Sequence, residues 1–287
     1  MDRNALVVNG LTKRYQDFTL DGVSFTVPQG SIVGLIGENG AGKSTTLHAV
    51  LGLIGRDGGT VELLGLPDTA LDDGVRNQIG VVFDGNSYPE MLTPRKLGRV
   101  MGKIYRTWDP DRYAALLQQL ALPADKRIKA LSKGMKMKLA LAVAFSHHAK
   151  LLVLDEATSG LDPVVRDDIL DLFLEFVQEE DHAILVSSHI TSDLEKVADY
   201  ITFLHQGKLV FTLEKDLLVD QYGVLHCGAA VFDTLDPADI LAWRREAYQY
   251  KVLVRDRYQA EKKYPQALVS PAAIEDTMLF YVKGEVS

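Results

Sequence analysis

Gly37 to Ser44 is the segment whose residue types most clearly indicate chemistry. Its sequence, Gly-Glu-Asn-Gly-Ala-Gly-Lys-Ser, fits the pattern G-x-x-x-x-G-K-[ST] in full. Glycines let backbone N–H groups approach phosphate oxygens closely, and a helix N-terminus adds positive potential at the same place. The Lys43 ammonium would reach the β- and γ-phosphates, and the Ser44 hydroxyl would bind Mg²⁺. The segment predicts a nucleoside triphosphate site; the alternative is a glycine-rich turn with an exposed lysine.

Asp155 and Glu156 form a pair of carboxylates directly after the apolar run Leu151 to Leu154. Adjacent residues of a strand point to opposite sides, so the two acids cannot serve one task unless the strand has ended. We expect Asp155 to hold Mg²⁺, directly or through water, and Glu156 to polarise the attacking water. The alternative is that the pair only caps the next helix.

A third segment, Leu131-Ser132-Lys133-Gly134-Met135, lies between these two motifs. In this order the three motifs resemble the ATP-binding cassette (ABC) ATPases, whose signature is Leu-Ser-Gly-Gly-Gln. The resemblance implies that the Ser132 hydroxyl and the Gly134 N–H contact the γ-phosphate of an ATP bound to another subunit. Taken alone, the segment is better explained as a helix cap.

Further positions match the same family over residues 3 to about 213. Ser159 to Asp162 resembles the D-loop, which meets its counterpart across a dimer, and His189 resembles the switch histidine that contacts the γ-phosphate. Tyr15 resembles the aromatic residue that stacks on adenine. The catalytic residues implied are Lys43, Glu156 and His189. The nucleotide-binding residues implied are Tyr15, Gly37, Glu38, Asn39, Gly40, Ala41, Gly42, Lys43, Ser44, Thr45, Ser132 and Gly134.

The chain departs from the family pattern at a few positions. Asp84 stands where a glutamine that contacts Mg²⁺ and water is usual. An aspartate can still bind the metal, so the metal ligands implied are Ser44, Asp155 and Asp84, although its charge lies close to the γ-phosphate. Lys133 and Met135 also replace the usual glycine and glutamine. The variant Leu-Ser-Lys-Gly-Met is similar to that of the ATPase subunits of bacterial ABC-2-type exporters.

Three short apolar runs predict the strands that would position these motifs. They are residues 31–36, 151–154 and 183–186, and none contains a charged residue. Such strands, alternating with helices, indicate a mostly parallel sheet covered on both faces. Residues 4–30 carry alternating and turn-rich segments that indicate short antiparallel strands.

Helical periodicity dominates residues 90–145, and a different pattern begins after about residue 213. The apolar residues with helical spacing are Leu97, Val100, Met101, Ile104, Tyr105 and Trp108, followed after Pro110 by Tyr113, Leu116, Leu117 and Leu120. Alternation around Tyr248 to Val254 predicts a half-exposed strand, and residues 237–243 and 272–282 are interpreted as short helices.

These patterns predict an α/β fold with a P-loop NTPase core. Its parts are a mostly parallel sheet, an N-terminal antiparallel β subdomain and a helical subdomain at about residues 85–145. We expect a nucleotide-binding domain at residues 1–213 and a small α+β accessory domain at 214–287.

Composition narrows the classes of function. The net charge of −8 disfavours a nucleic-acid or anionic-membrane partner. No apolar run approaches the roughly 20 residues of a membrane span, and the N-terminus resembles no signal peptide. With Cys227 as the single cysteine, an internal disulfide is impossible, which fits a reducing cytosol.

Three functions remain open at this point. The first is the MgATP-hydrolysing subunit of an exporter, cytoplasmic and held at the inner membrane face by a separate permease. There it would form a homodimer or a heterodimer with a related ATPase. The permease would dock near the Asp84 loop and residues 86–108, whose charges (Arg95, Lys96, Arg99 and Lys103) fit an ordinary solvated face better. The second is a soluble ABC ATPase without a transport role, and the third is a nucleotide sensor that does not hydrolyse ATP.

Overall fold

The computed structural model of the chain describes residues 4–83 and 88–286 and contains three β-sheets. The strands are β1 (Asn4–Arg14), β2 (Thr19–Pro28), β3 (Ile32–Ile36), β4 (Gly58–Leu63), β5 (Leu66–Pro67), β6 (Ile79–Val82), β7 (Leu151–Asp155), β8 (Ala183–Ser188), β9 (Tyr200–His205), β10 (Lys208–Glu214), β11 (Gly223–Cys227), β12 (Ile240–Glu246), β13 (Gln249–Val254), β14 (Leu268–Pro271) and β15 (Glu285–Val286).

The described residues also form eleven α-helices. They are α1 (Lys43–Val50), α2 (Asp73–Arg76), α3 (Pro94–Ile104), α4 (Pro110–Gln119), α5 (Lys133–Phe145), α6 (Pro163–Phe176), α7 (Thr191–Val197), α8 (Lys215–Gln221), α9 (Ala229–Phe232), α10 (Arg257–Lys263) and α11 (Ile274–Lys283). None of them combines the length and the apolar composition that crossing a bilayer requires.

The central sheet has the strand order β10-β9-β3-β8-β7-β6. All its neighbouring strands are parallel except β9 and β10, so the prediction of a mostly parallel sheet is confirmed. Strands β3, β7 and β8 are buried along their whole length. Alternate residues of β3 enter different cores: Ile32 and Ile36 pack with the helical side, Val33 and Leu35 with the N-terminal sheet. Continuous burial explains why these strands lack polar alternation.

The N-terminal sheet has the order β2-β1-β4-β5 and is antiparallel. Its strands β1 and β2 confirm the prediction for residues 4–30, although they are 11 and 10 residues long rather than short. Buried and exposed residues alternate over most of β2, and the buried residues of both strands pack against α1 and one face of the central sheet.

Residues 94–145 form the predicted helical region, but its first two helices are divided differently from the apolar pattern. Helix α3 ends at Ile104, and α4 begins at Pro110 with Asp109 as its N-cap. A proline at the first helical position is typical of a helix start. Pro110 and its N-cap Asp109 therefore begin a new helix here. The prediction that Trp108 continues α3 is therefore wrong; its ring packs against Tyr113, with centroids 5.0 Å apart.

The C-terminal residues form a third, antiparallel sheet of order β14-β11-β13-β12-β15 with four helices. Strand β13 and helix α11 confirm two of the predicted elements. The predicted helix at 237–243 is wrong, because residues from Ile240 on form β12, which pairs with both β13 and β15. The boundary at residue 213 stays a prediction. We call residues 214–286 the C-terminal unit.

Candidate functional site

The phosphate loop connects β3 to α1, the context that its sequence pattern requires. Gly40 and Gly42 have φ values of +84° and +107°, a region that favours glycine. A Cβ atom at Gly42 would lie only 2.9 Å from the Phe18 ring. The Lys43 ammonium donates to the Gly37 carbonyl at 2.7 Å and to the Glu38 carbonyl at 3.3 Å. Thus the lysine is buried within the loop, and the interpretation as a turn with an exposed lysine is wrong.

Burial and the neighbouring carboxylates have opposite effects on the pKa of Lys43. Burial lowers the pKa of its ammonium below the ordinary lysine value, while the Glu156 and Asp155 carboxylates act in the opposite direction. The Lys43 Nζ is 3.7 Å from Glu156 Oε1. A phosphate group would add negative charge next to this buried cation, which favours its charged form.

Asp155 and Glu156 lie at the end of β7 but point to different partners. Asp155 is buried, and its Oδ1 accepts a hydrogen bond from Ser187 Oγ at 2.5 Å. Glu156 has a φ of +53°, and its N–H donates to the Ser187 carbonyl and hydroxyl oxygens, both at 3.1 Å. The next helix, α6, is capped by Asp162, so the alternative that the acid pair caps it is wrong.

Ser187 is hydrogen-bonded to both acids, a position that the sequence did not predict. It lies opposite Asp155 in the parallel pairing of β7 and β8. It donates to the Asp155 carboxylate and accepts from the backbone N–H of Glu156, so it orients the first acid and holds the backbone of the second. The sequence held a signal for this contact, because Ser187 lies near the carboxyl end of β8 and Asp155 at that of β7. The carboxyl ends of neighbouring parallel strands meet at one edge of the sheet.

His189 contacts Glu156 directly. The His189 Nδ1 is 2.6 Å from Glu156 Oε2, and the imidazole is half-exposed. Glu156 therefore lies between the Lys43 ammonium and this imidazole, at the edge of a cleft that a ligand can enter. A carboxylate with these two neighbours is oriented well enough to act as a base for a bound water.

The cleft that these groups share has a volume of about 750 Å³. Tyr15 lies at its mouth with its side chain half-exposed, next to Phe18. Lys43 is the one lysine or arginine among the described residues that line it. The lining consists of Tyr15, Asp17, Phe18, Glu38, Asn39, Gly40, Gly42, Lys43, Ser44, Thr45, Glu156, Ser159 and His189. Gly37 and Ala41 belong to the loop but do not line the cleft. Ala41 is buried, and its carbonyl accepts a hydrogen bond from the Gly207 N–H.

The donor set at this edge fits Mg²⁺. Ser44 supplies an exposed hydroxyl in the cleft, and Asp155 supplies a buried carboxylate close enough to influence the Lys43 pKa. Mg²⁺ prefers oxygen ligands and is usually held by one or two carboxylates together with phosphate oxygens. The third predicted ligand, Asp84, lies outside the described residues.

Ser132 and Gly134 lie at the start of α5 and are not among the described residues of this cleft. The Ser132 hydroxyl accepts from the Met135 N–H at 3.2 Å, so it is a helix cap, as the alternative interpretation holds. Its own hydrogen can still donate to an anion. A Cβ at Gly134 would lie 3.0 Å from Val165, and the Lys133 ammonium lies beside Gly160.

His205 is a second histidine near the phosphate loop to which the sequence assigned no role. Its Nδ1 lies 3.7 Å from Glu38 Oε2. The backbone of β9 also contacts the loop, since a Cβ at Gly37 would lie only 2.5 Å from the Leu204 carbonyl oxygen. These contacts explain why the first glycine of the motif cannot be a larger residue.

Comparison with known proteins identifies the family of the chain. The family model described as ABC transporter matches residues 20–159. The bacitracin transport ATP-binding protein BcrA of Bacillus licheniformis is 33% identical over 211 residues, which cover 72% of this chain and 69% of that protein. The Nod factor export ATP-binding protein I of Rhizobium sp. (strain N33) is 33% identical over 240 residues, covering 81% and 77%.

A solved structure described as the ATP-binding subunit of an ABC transporter has a TM-score of 0.68 and 29% identity. It covers 74% of this chain and 90% of that chain. The phosphate loop, Glu156 and His189 line one cleft, and Asp155 is buried next to it at the end of β7. The chain therefore belongs to the ABC transporter family, as one of its ATP-binding ATPase subunits.

Proposed function

We propose that this chain hydrolyses MgATP at a site shared with a second cassette, and that hydrolysis drives an exporter-type permease encoded separately. The observation that carries the proposal is the Glu156 carboxylate, which lies between the Lys43 ammonium and the His189 imidazole in the cleft. This arrangement supplies a cation for phosphate, a base for water and a hydrogen-bond donor for the γ-phosphate. The intact set speaks against a sensor that does not hydrolyse ATP.

Each side chain has a distinct task in the proposed reaction. The Lys43 ammonium exchanges its carbonyl partners for β- and γ-phosphate oxygens and stabilises their charge. Glu156 orients and polarises the attacking water, and His189 donates to the γ-phosphate. Mg²⁺, held by Ser44 and Asp155, supplies further charge neutralisation when bound. Tyr15 lies at the mouth, where its half-exposed ring offers a stacking surface for adenine.

The second half of each ATP site comes from another subunit in this proposal. Ser132 and Gly134 are absent from the described lining of the chain's own cleft, yet their helix start is an anion-binding geometry. Two cassettes arranged head to tail would place each helix start on the partner's γ-phosphate. ATP would then bind the closed pair better than the open one and shift the equilibrium towards closure.

Helix α3 and its approach are the proposed docking surface for the permease. Its described residues expose three apolar side chains, Met91, Val100 and Ile104, at 60%, 40% and 59%. Of the nearby charges, Arg95 is paired with Asp125 at 2.8 Å. Large apolar patches rimmed by polar residues mark protein-binding surfaces, and these three side chains are the apolar part of the proposed one. The export and bacitracin transport relatives support a membrane partner of the exporter class.

Recovery of a permease tests the transport role. A Glu156→Gln variant, expected to hold ATP without hydrolysing it, is affinity-purified with ATP from detergent-solubilised native membranes. We expect a stoichiometric multi-span protein in the eluate, identified by mass spectrometry. Omission of ATP and the Lys43→Ala variant are the controls. Recovery of an ATP-dependent dimer only from the soluble fraction would contradict the transport role.

A negative charge introduced at position 132 tests whether the ATP site is shared between two subunits. Asparagine and aspartate both cap helices well, so Ser132→Asn and Ser132→Asp differ mainly by one negative charge. In the Glu156→Gln background we expect Ser132→Asp to abolish ATP-dependent dimerisation in size-exclusion chromatography, because the carboxylate would face the partner's γ-phosphate. Ser132→Asn should retain most of it. Equal dimerisation by the two variants would speak against contact in trans.

A further inference from the structure

Helix α7 joins the candidate site to the rest of the fold, since it begins two residues after His189. Three consecutive residues of α7 contact three different elements. Asp193 faces Arg166 of α6 at 3.8 Å, and Leu194 packs against β3, where a Cβ at Gly34 would lie 2.8 Å from its methyl carbon. Glu195 Oε1 accepts a hydrogen bond from the Ile274 N–H at 3.1 Å. The position of α7, and of the histidine before it, depends on all three.

The third of these contacts comes from the C-terminal unit. Helix α11 buries Ile274, Thr277 and Phe280 completely. Ile274 belongs to the main core, together with Leu194 and Val197 of α7. The Tyr281 ring packs against Phe203 of β9 and Phe211 of β10, with centroids 6.3 and 5.8 Å apart. Thus the last helix of the chain packs directly on the helix that follows His189.

The bond from Glu195 acts at the N-terminus of α11. The first N–H groups of a helix have no acceptor within the helix, and Ala273 at the N-cap position has no polar side chain. The Glu195 carboxylate supplies that acceptor and places negative charge at the positive end of the helix. Because this bond is partly buried, solvent screens it less than a surface ion pair.

We propose that Glu195 is a positioning residue through which the C-terminal unit holds α7 and so sets the reach of His189 towards the γ-phosphate. The inference rests on the proposed role of His189. It gives residues 214–286 a task in hydrolysis: loss of the α11 contact would loosen α7 and slow the enzyme without altering the phosphate loop.

A neighbouring ion pair on the same helix provides a matched control. Lys196 donates to Asp167 of α6 at 2.9 Å, but the two side chains are 61% and 63% exposed. Exposed ion pairs of this kind contribute little to the free energy of folding. Although Glu195 and Lys196 are adjacent, only Glu195 makes a partly buried contact with the C-terminal unit.

The test compares Glu195→Ala, Glu195→Gln, Lys196→Ala and His189→Ala in the full-length chain. For each we would measure kcat, KM for ATP, ADP affinity and thermal unfolding. We expect Glu195→Ala to lower kcat by about three- to tenfold, as the loss of one partly buried hydrogen bond allows. ADP affinity should stay within about twofold, because ADP lacks the γ-phosphate that His189 contacts. KM for ATP should also stay within about twofold, because Glu195 contacts neither Lys43 nor the phosphate loop. Glu195→Gln keeps the Oε1 acceptor and should retain most of the rate, as should Lys196→Ala.

Each other outcome decides against the inference. A normal kcat in Glu195→Ala, equal losses in the glutamine and alanine variants, or a parallel loss of ADP affinity would overturn it. A normal kcat in His189→Ala would overturn the proposed role of the histidine itself. A slow His189→Ala with a normal Glu195→Ala would overturn the positioning role alone. If the alanine variant does not fold, Glu195→Asp, with its carboxylate one methylene shorter, replaces it in every comparison.

Discussion

Glu156→Gln is expected to lower the rate of ATP hydrolysis by about 10²- to 10⁴-fold, the usual contribution of a positioned general base. The amide keeps the size of the side chain and can still contact His189, but it cannot take up a proton from water. ATP affinity should be equal to or higher than that of the parent, since a negative charge 3.7 Å from the Lys43 ammonium is removed. Phosphate release under saturating MgATP and equilibrium nucleotide binding measure the two effects.

Glu175→Gln is the matched control for this substitution, because it makes the same chemical change on the exposed surface of α6. Its rate should equal that of the parent chain. Hydrolysis within tenfold of the parent in Glu156→Gln would mean that another group activates the water. A loss of ATP affinity equal to the loss of rate would instead make Glu156 a binding residue.

Lys43→Ala should weaken MgATP binding by about 100-fold, which corresponds to roughly 2.7 kcal/mol. The described cleft lining then keeps no lysine or arginine, while Asp17, Glu38 and Glu156 remain. The polyphosphate would then face these carboxylates with only Mg²⁺ and the backbone N–H groups of the phosphate loop to compensate its charge. Isothermal titration calorimetry measures the affinity, and phosphate release should fall to the background level.

Protein stability separates this effect from unfolding. Burial opposes the charged form of Lys43, which is why its pKa is lowered, so removal of the ammonium also removes a desolvation cost. The melting temperature of Lys43→Ala without nucleotide should therefore stay close to that of the parent. Lys150→Ala, which breaks an exposed pair with Asp181, is the control. Unchanged ATP affinity in Lys43→Ala would refute its assignment to the phosphates.

The sequence predicted the parts of the fold in which one pattern dominates. Residues 32–36 and 183–186 carry no polar side chain because both faces of their strands are covered, and the structure confirms them as β3 and part of β8. The phosphate loop was predictable because its backbone conformation admits few residue types. Strand β13 followed from simple alternation, but its predicted half-exposure is wrong, because Val252, Leu253 and Val254 are all buried between two cores.

Contacts between distant segments decided what the sequence could not predict. Residues 240–246 have no strong preference of their own, and pairing with β13 and β15 makes them a strand. The same holds for the site: Ser187 and Glu156 are 31 residues apart, and Glu195 and Ile274 are 79 apart. Hydrogen bonds of this kind leave no periodic pattern in the chain.

The backbone of Glu156 has a consequence for the evolution and engineering of this chain. A φ of +53° is uncommon for a residue with a side chain, and such positions cost on the order of 1 kcal/mol of folding free energy. Glycine would adopt the same conformation with less strain but would carry no carboxylate. Selection for thermostability alone would therefore favour variants that lose turnover at this position. Stability and activity make opposite demands on residue 156, and the glutamate indicates which demand prevailed.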